Sequence, residues 1–168
     1  AGAAESAEVR TGRAADWLAA GGLGRFDVLV LDHQGARYHL DLRLAEASAA
    51  TGARAFADNV LHPGAPLFLW YVARNHATVV HEVKEFVHRP PLDDWVTVSV
   101  LHANARSTAD REPPRLRWWA AEVDAMCHQS QHAEVDWLSF QRDLQHFLTR
   151  GPDESGRRGQ EMAGANER

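Results

Sequence analysis

Runs of apolar residues alternate with stretches of helical periodicity over residues 1–103. The run 26–32 (FDVLVLD) is uninterrupted and lies between glycine and polar residues, which predicts a strand buried on both faces. Residues 38–51 have a helical pattern that Gly52 ends, and 53–60 (ARAFADNV) predicts the next strand. Strand, helix and strand in this order predict a βαβ unit with a parallel sheet.

Segments on either side of this unit complete the predicted secondary structure. Before it lie an extended segment and a short helix with Trp17 and Leu18 on one face, and after it lies a helix opened by HPGAP. Two β-rich runs joined by a proline-containing connection predict a hairpin, because a central strand does not tolerate proline. Two further helices are predicted after the hairpin. In order, these segments are 7–12, 13–20, 62–72, 77–87, 95–103, 116–126 and 135–148.

The pattern divides the chain into three parts. Residues 1–103 form an α/β unit, and residues 104–150 begin as a polar loop and continue as a helical extension. Residues 151–168 contain four glycines and no Leu, Ile, Val or Phe. Such a segment buries too little apolar surface to fold alone, so we expect a protein partner to hold it.

Composition narrows the class of protein. The chain has 168 residues, 45 % of them apolar, which suits one globular domain. Its single cysteine, Cys127, excludes an internal disulfide framework, and a net charge of -5 argues against a nucleic-acid-binding protein. Because no apolar run approaches about 20 residues, we expect contact with a membrane only through partners.

The first residue is Ala1 rather than methionine. We therefore expect a processed, trimmed or excised chain, and a secretory or transit segment is the kind of segment expected before it. Together with the polar tail, this favours a protein imported into an organelle, a plastid or mitochondrion, and built there into a photosynthetic or respiratory complex; the alternative location is the cytoplasm.

Three sequence blocks occur in a fixed order: GRAADWL, then FDVLVLDHQGARY, then ADNVLHPGAPLFLWYV. These blocks resemble the carboxy-terminal half of catechol-type O-methyltransferases, which depend on a metal ion and S-adenosylmethionine. The resemblance covers somewhat more than half of the chain. It implies a partial doubly wound, Rossmann-like sheet, here followed by the helical extension, for which no counterpart is recognised.

Polar side chains follow the two strands of the βαβ unit. Asp32 ends the first strand, and Asp58 with Asn59 ends the second, so their oxygen atoms meet where such sheets bind ligands. By resemblance these three residues are the ligands of a magnesium ion that binds both catechol oxygens and lowers the pKa of one of them. The resemblance also assigns His33 to the adenine side of the methyl donor.

Several positions depart from the family pattern. The catalytic lysine that acts as general base is replaced by Gly35, which has no proton acceptor. Gln34 stands at an aromatic position, and Ala14 and Ala15 stand where the family recognises adenine with polar side chains. Near Val87 and His88, where the family has an acidic residue, the nearest carboxylate is Glu85.

The strand and glycine-rich loop that bind the methyl donor in the family precede the part of the fold that this sequence matches. The glycines at 21–24 (GGLG) are no substitute, because they precede a strand instead of following one. In the family's sheet the strand equivalent to 26–32 is central, so its edge is bare here. Either another polypeptide supplies a neighbouring strand, or the amino-terminal segment and the last helices cover that edge.

Two other groups of residues could carry chemistry or contacts. Cys127, His128 and His132 form a C-H-x-x-x-H pattern, but without a second cluster we interpret it as structural rather than as a zinc site. No local pattern indicates a catalytic nucleophile. A larger aromatic group suits either an interface or the core; it comprises Trp118, Trp119 and Trp137.

The functional prediction is a non-catalytic, methyltransferase-like structural or docking subunit of a larger assembly, which requires no cofactor. Its partners would be protein subunits that contact strand 26–32 and tail 151–168. The alternative is one half of a split or trimmed O-methyltransferase that uses magnesium and S-adenosylmethionine. A third reading is a magnesium- or calcium-binding module without chemistry.

Overall fold

A computed structural model describes residues 7–21, 24–85, 91–102 and 111–150. Within these ranges, four strands form one mixed sheet, and there are five helices. Three short helical turns, Gly35–Arg37, Glu46–Ser48 and Val60–Gly64, join these elements. We call Val60–Gly64 the Pro63 turn. The main elements are α1 (Ala14–Ala19), β1 (Phe26–Leu31), α2 (Tyr38–Ala45), β2 (Ala49–Ala57), α3 (Pro66–Asn75), β3 (Ala77–Glu85), β4 (Leu92–Val100), α4 (Pro114–Ser130) and α5 (Trp137–Arg150).

The strand order is β1-β2-β4-β3, which places β1 at one edge of the sheet. β1 and β2 are parallel and are joined through α2, as the βαβ pattern predicts, whereas β4 is antiparallel to both β2 and β3. The predicted α/β class, a partial doubly wound sheet with a helical extension, is confirmed.

Helices α2 and α3 cover one face of the sheet. The strands are lined there by alanines at 53, 55 and 57, whose small side chains let the helices approach closely. Tyr38 and Leu42 from α2 and Phe68 and Val72 from α3 fill this layer and are fully buried.

Helices α4 and α5 pack on α3 and on the Pro63 turn. Leu116 of α4 and Phe147 of α5 contact Leu67 of α3. Val123 and Leu144, from the same two helices, pack on Leu61 of the turn. No helix in the described part of the chain is long and apolar enough to span a membrane.

The other face of the sheet carries valines that remain exposed. Val28 is 55 % exposed, Val30 66 % and Val79 56 %. The prediction that strand 26–32 is buried on both faces is therefore wrong, since only Leu31 of β1 is buried. A continuous apolar run does not say whether a strand is central or lies at an edge.

The boundary between α2 and β2 also differs from the sequence pattern. Residues 49–51 begin β2, and Gly52 lies inside this strand with φ of 77°. The pairing with β1 shifts register here, from Phe26–Ala49 to Val28–Arg54, and a glycine can adopt the positive φ at such an irregularity. Residues 7–12 form no strand.

Candidate functional site

The carboxyl ends of β1 and β2 lie side by side. The Asp58 peptide N–H donates to the Leu31 carbonyl over 3.0 Å, which extends the parallel pairing to the predicted ligands. Asp32 is exposed, while Asp58 and Asn59 are half-buried. Asn59 has φ of 55°, a left-handed conformation that asparagine tolerates better than most residues. The structure thus brings together the two strand ends that the sequence singled out.

A buried carboxylate that was not predicted from the sequence stabilises the end of the sheet at which β1 and β2 terminate. Asp94 of β4 accepts hydrogen bonds from the peptide N–H groups of Leu61 (3.1 Å), His62 (2.8 Å) and Trp95 (2.7 Å), and from Asn59 Nδ2 (2.9 Å). Burial raises the pKa of Asp94, and these hydrogen bonds oppose that shift. The only signal in the sequence was a pair of aspartates at the end of the connection that precedes the second β-rich run.

The predicted ligands keep the oxygen chemistry that magnesium prefers. Asp58 Oδ1 accepts the Asn59 peptide N–H at 2.8 Å, and the Asn59 side chain donates through Nδ2, which leaves its oxygen for another partner. Over the described ranges, no three or more His, Cys, Asp or Glu side chains are arranged to hold a metal ion. A ligand set of two carboxylates and one amide stays a prediction.

The buried Tyr38 hydroxyl lies in the electrostatic field of the carboxylates at this end of the sheet. The pKa of Tyr38 is raised to about 12, chiefly by burial and also by the charges of Asp32, Asp58 and Asp94, while a hydrogen bond with the His33 backbone opposes the shift. Three carboxylates therefore lie within electrostatic range of one phenol.

His33 lies in a cavity of about 420 Å³ between the amino-terminal segment and β1. Its Nε2 is 2.8 Å from Oδ2 of the buried Asp41, and its ring lies 4.9 Å from that of Tyr38. Ala14 and Trp17 of α1 line the same cavity. Asp41, eight residues after His33, was missed because helical spacing alone gave no reason to pair it with a loop histidine.

Position 35 has no room for a side chain. A Cβ placed on Gly35 would overlap the carbonyl oxygen of Gly64 and lie 3.3 Å from the Ala65 methyl group. The Pro63 turn therefore packs directly on the backbone at this position.

The helical extension packs over the same turn. Gln34 Nε2 donates to Asp124 Oδ1 of α4 over 3.1 Å, and the rings of His62 and Trp137 are 4.9 Å apart. Glu85 ends β3, at the opposite edge of the sheet from β1. Val87, His88 and the tail 151–168 lie outside the described residues.

The remaining candidates lie on α4 and α5. Cys127 is half-buried, and burial raises the pKa of its thiol. His128 and His132 are exposed, with ring centroids 5.3 Å apart. Trp119 packs against Phe140 and Phe147 in the core, whereas Trp118 remains 55 % exposed.

No protein-family model and no curated protein matches this sequence. Solved structures do match. A candidate O-methyltransferase from Klebsiella pneumoniae is 17 % identical over 55 % of this chain and 48 % of that chain, with a TM-score of 0.46. An O-methyltransferase from Bacillus cereus, in complex with SAH, is 18 % identical over 56 % of this chain and 50 % of that chain, with a TM-score of 0.47. This chain spans about half the length of both matched structures.

Proposed function

We propose that this chain is a methyltransferase-like docking module without catalysis of its own, and that it serves as a structural subunit of a larger protein assembly. The observation that carries this proposal is the closed position at Gly35. A general base there would need a side chain, and its first carbon would already overlap the Gly64 carbonyl oxygen. The loss of the base is thus built into the packing of the Pro63 turn.

The position of β1 as an edge strand supports the docking role. β1 is the terminal strand of the sheet, and Val28 and Val30 are more than half exposed. Exposed apolar edge strands pair readily with further strands, and proteins usually cover them. A strand from another polypeptide segment would extend the sheet at this edge. Tail 151–168 is the second contact we expect with such a partner.

A methylation assay tests the absence of catalysis. The purified chain is incubated with S-adenosylmethionine, Mg²⁺ and catechol, and methylated product is measured. We expect none, and turnover at an ordinary enzyme rate would overturn the proposal. Gly35→Lys introduces the amine of the family's general base at this position of the sequence. We expect it to lower the unfolding midpoint and to yield no product, because its Cβ displaces the Pro63 turn.

The alternative function is one half of a split or trimmed O-methyltransferase. Two observations favour it: the adjoining ends of β1 and β2, and the cavity that contains both His33 and Ala14. Asp32, Asp58 and Asn59 would hold Mg²⁺, which when bound supplies the charge that lowers a catechol pKa. The other half would have to bring a strand, a glycine-rich loop and an acidic residue to the edge of β1.

Titration with Mg²⁺ or Ca²⁺ separates a metal-binding module from a purely structural one. If the site binds a divalent ion, Asp32→Ala should weaken binding measured by calorimetry, whereas Asp27→Ala, an exposed aspartate of β1, should not. Equal affinity of the two variants would refute the predicted ligand set.

A further inference from the structure

The exposed face of the sheet is continuous across all four strands. One row of paired residues runs Val28, Arg54, Val100, Ala77, and the next row runs Val30, Phe56, Val98, Val79. Directly paired residues point to the same side of a sheet, so these eight side chains share one surface. With Val96, which pairs with His81 in the following row, they form what we call the valine face.

The apolar side chains of this face are poorly covered for a sheet that contains a parallel pair. Val30 is 66 % exposed and Val79 is 56 % exposed. Both lie in outer strands, on either side of Phe56 and Val98. Parallel strands occur almost entirely in sheets covered on both faces. Because α2 and α3 both pack on the opposite face, they do not cover this surface; the amino-terminal segment reaches its margin, where Arg10 and Trp17 line the same cavity as Val30.

Arg54 is the one charged residue among the nine residues of the valine face. It lies on β2, an inner strand, paired with Val28 on one side and Val100 on the other. It is exposed and forms no ion pair with any residue in the described ranges. A layer laid over this face would take the guanidinium out of water, which is unfavourable unless a carboxylate meets it.

We infer that the valine face binds an amphipathic α-helix of a partner protein, which packs aliphatic side chains on the valines and places an acidic side chain opposite Arg54. The inference rests on the proposed docking role and names the class of partner. One helix has the width to lie over the two inner strands, where Arg54, Phe56 and Val98 are found. A second copy of this chain fits less well, because face-to-face packing would bring another unpaired arginine into the same apolar interface.

Two synthetic helical peptides test this inference on the intact chain. Both have about 14 residues, enough to match a strand of roughly 20 Å, and a leucine stripe, with a single Glu at the centre of the stripe in one peptide and Lys in the other. Methyl NMR spectra of the valines report where each peptide binds. We expect the Glu peptide to shift Val30, Val79 and Val98, and the Lys peptide to bind at least about tenfold more weakly.

Charge reversal provides the control. Arg54→Glu should exchange the preference, so that the Lys peptide binds more tightly, whereas Arg117→Glu, an exposed charge on α4, should leave the preference unchanged. Equal binding of both peptides, no binding, or methyl shifts away from the valine face would each overturn the inference. Sedimentation that reveals a dimer abolished by Val79→Asp would overturn it in favour of a second copy. None of these outcomes changes the methylation assay, so the two proposals fail separately.

Discussion

Asp94 joins three parts of the molecule through one carboxylate. It belongs to β4, yet its oxygens accept hydrogen bonds from the Pro63 turn and from Asn59, beside the predicted metal ligands. Asp94 is 1 % exposed. Loss of its carboxylate would therefore leave each of these donors without a hydrogen-bond partner in a buried environment. The side chain holds the candidate site in shape without being part of it.

Asp94→Asn should therefore lower the free energy of unfolding by about 2–3 kcal/mol, because its amide presents a donor to at least one of the groups that now donate to the carboxylate. Urea denaturation measures the change. Asp93→Asn is the matched control: this neighbour is partly exposed and pairs with Lys84 at the surface, so about 0.5 kcal/mol or less is expected. Equal losses in the two variants would contradict the role assigned to Asp94.

Protonation of His39 should lower the free energy of unfolding in weakly acidic solution. Burial lowers the pKa of this histidine; Glu112, which lies 3.3 Å away, opposes the shift, and Arg43 and Arg37 add to it. The unfolded chain therefore takes up a proton at higher pH than the folded one. The stability that neutral His39 contributes is complete above its usual pKa of about 6.5 and is lost as the pH falls below it.

The urea midpoint of the parent protein should accordingly decrease between pH 8 and pH 5.5. His39→Gln removes the titrating group, so the midpoint should depend less on pH in this variant than in the parent. His128→Gln, at an exposed position, should leave the pH dependence of the parent intact. A parallel pH dependence for His39→Gln and the parent would exclude His39 as a contributor.

At the scale of elements, a polar cluster joins the ends of α2, α3 and β4 on the side remote from the candidate site. The Tyr71 hydroxyl donates to both Glu46 oxygens at 2.7 and 2.9 Å. His76 Nδ1 accepts the His102 peptide N–H over 3.3 Å, so the proton on its other nitrogen, Nε2, is donated to Glu46 over 2.8 Å. Burial and Glu46 both raise the pKa of Tyr71.

Glu46→Ala should lower the free energy of unfolding by about 2–4 kcal/mol, because it leaves a buried hydroxyl and a buried imidazole N–H without an acceptor. Chemical denaturation gives the value. Tyr71→Phe removes a donor but leaves Glu46 bonded to His76, so a smaller loss is expected. A larger loss for Tyr71→Phe than for Glu46→Ala would show that Glu46 does not organise this cluster.

At the scale of the whole molecule, the layers on the two sides of the sheet are unequal. α2 and α3 cover one face, α4 and α5 pack on α3 and the Pro63 turn, and valines of the valine face remain exposed. Such a surface promotes association between molecules until a partner covers it.

Val30→Lys should reduce this association. Light scattering of concentrated solutions should decrease relative to the parent protein, while the unfolding midpoint changes little, because Val30 is 66 % exposed. Leu31→Lys, one residue along the same strand, should instead unfold the protein, since Leu31 is 3 % exposed. If Val30→Lys destabilised the fold as strongly as Leu31→Lys, the exposed face would be part of the core.

The sequence by itself determined the elements that have strong periodicity and the identity of the strand-end residues. The order of β1, α2 and β2 and the hairpin of β3 and β4 followed from local patterns. These features depend on residues close together in the chain, where apolar spacing and turn residues act directly.

Only the tertiary structure decided which strand faces are exposed, which carboxylates are buried and what surrounds position 35. Asp94 reaches Asn59 across 35 residues of chain, and Gly64 closes on Gly35 through the packing of the Pro63 turn. Contacts of this kind depend on how whole elements are placed against one another, which the pattern of a single segment does not encode. For the same reason the apolar pattern predicted β1 as buried on both faces, whereas one face of this edge strand is exposed in the folded sheet.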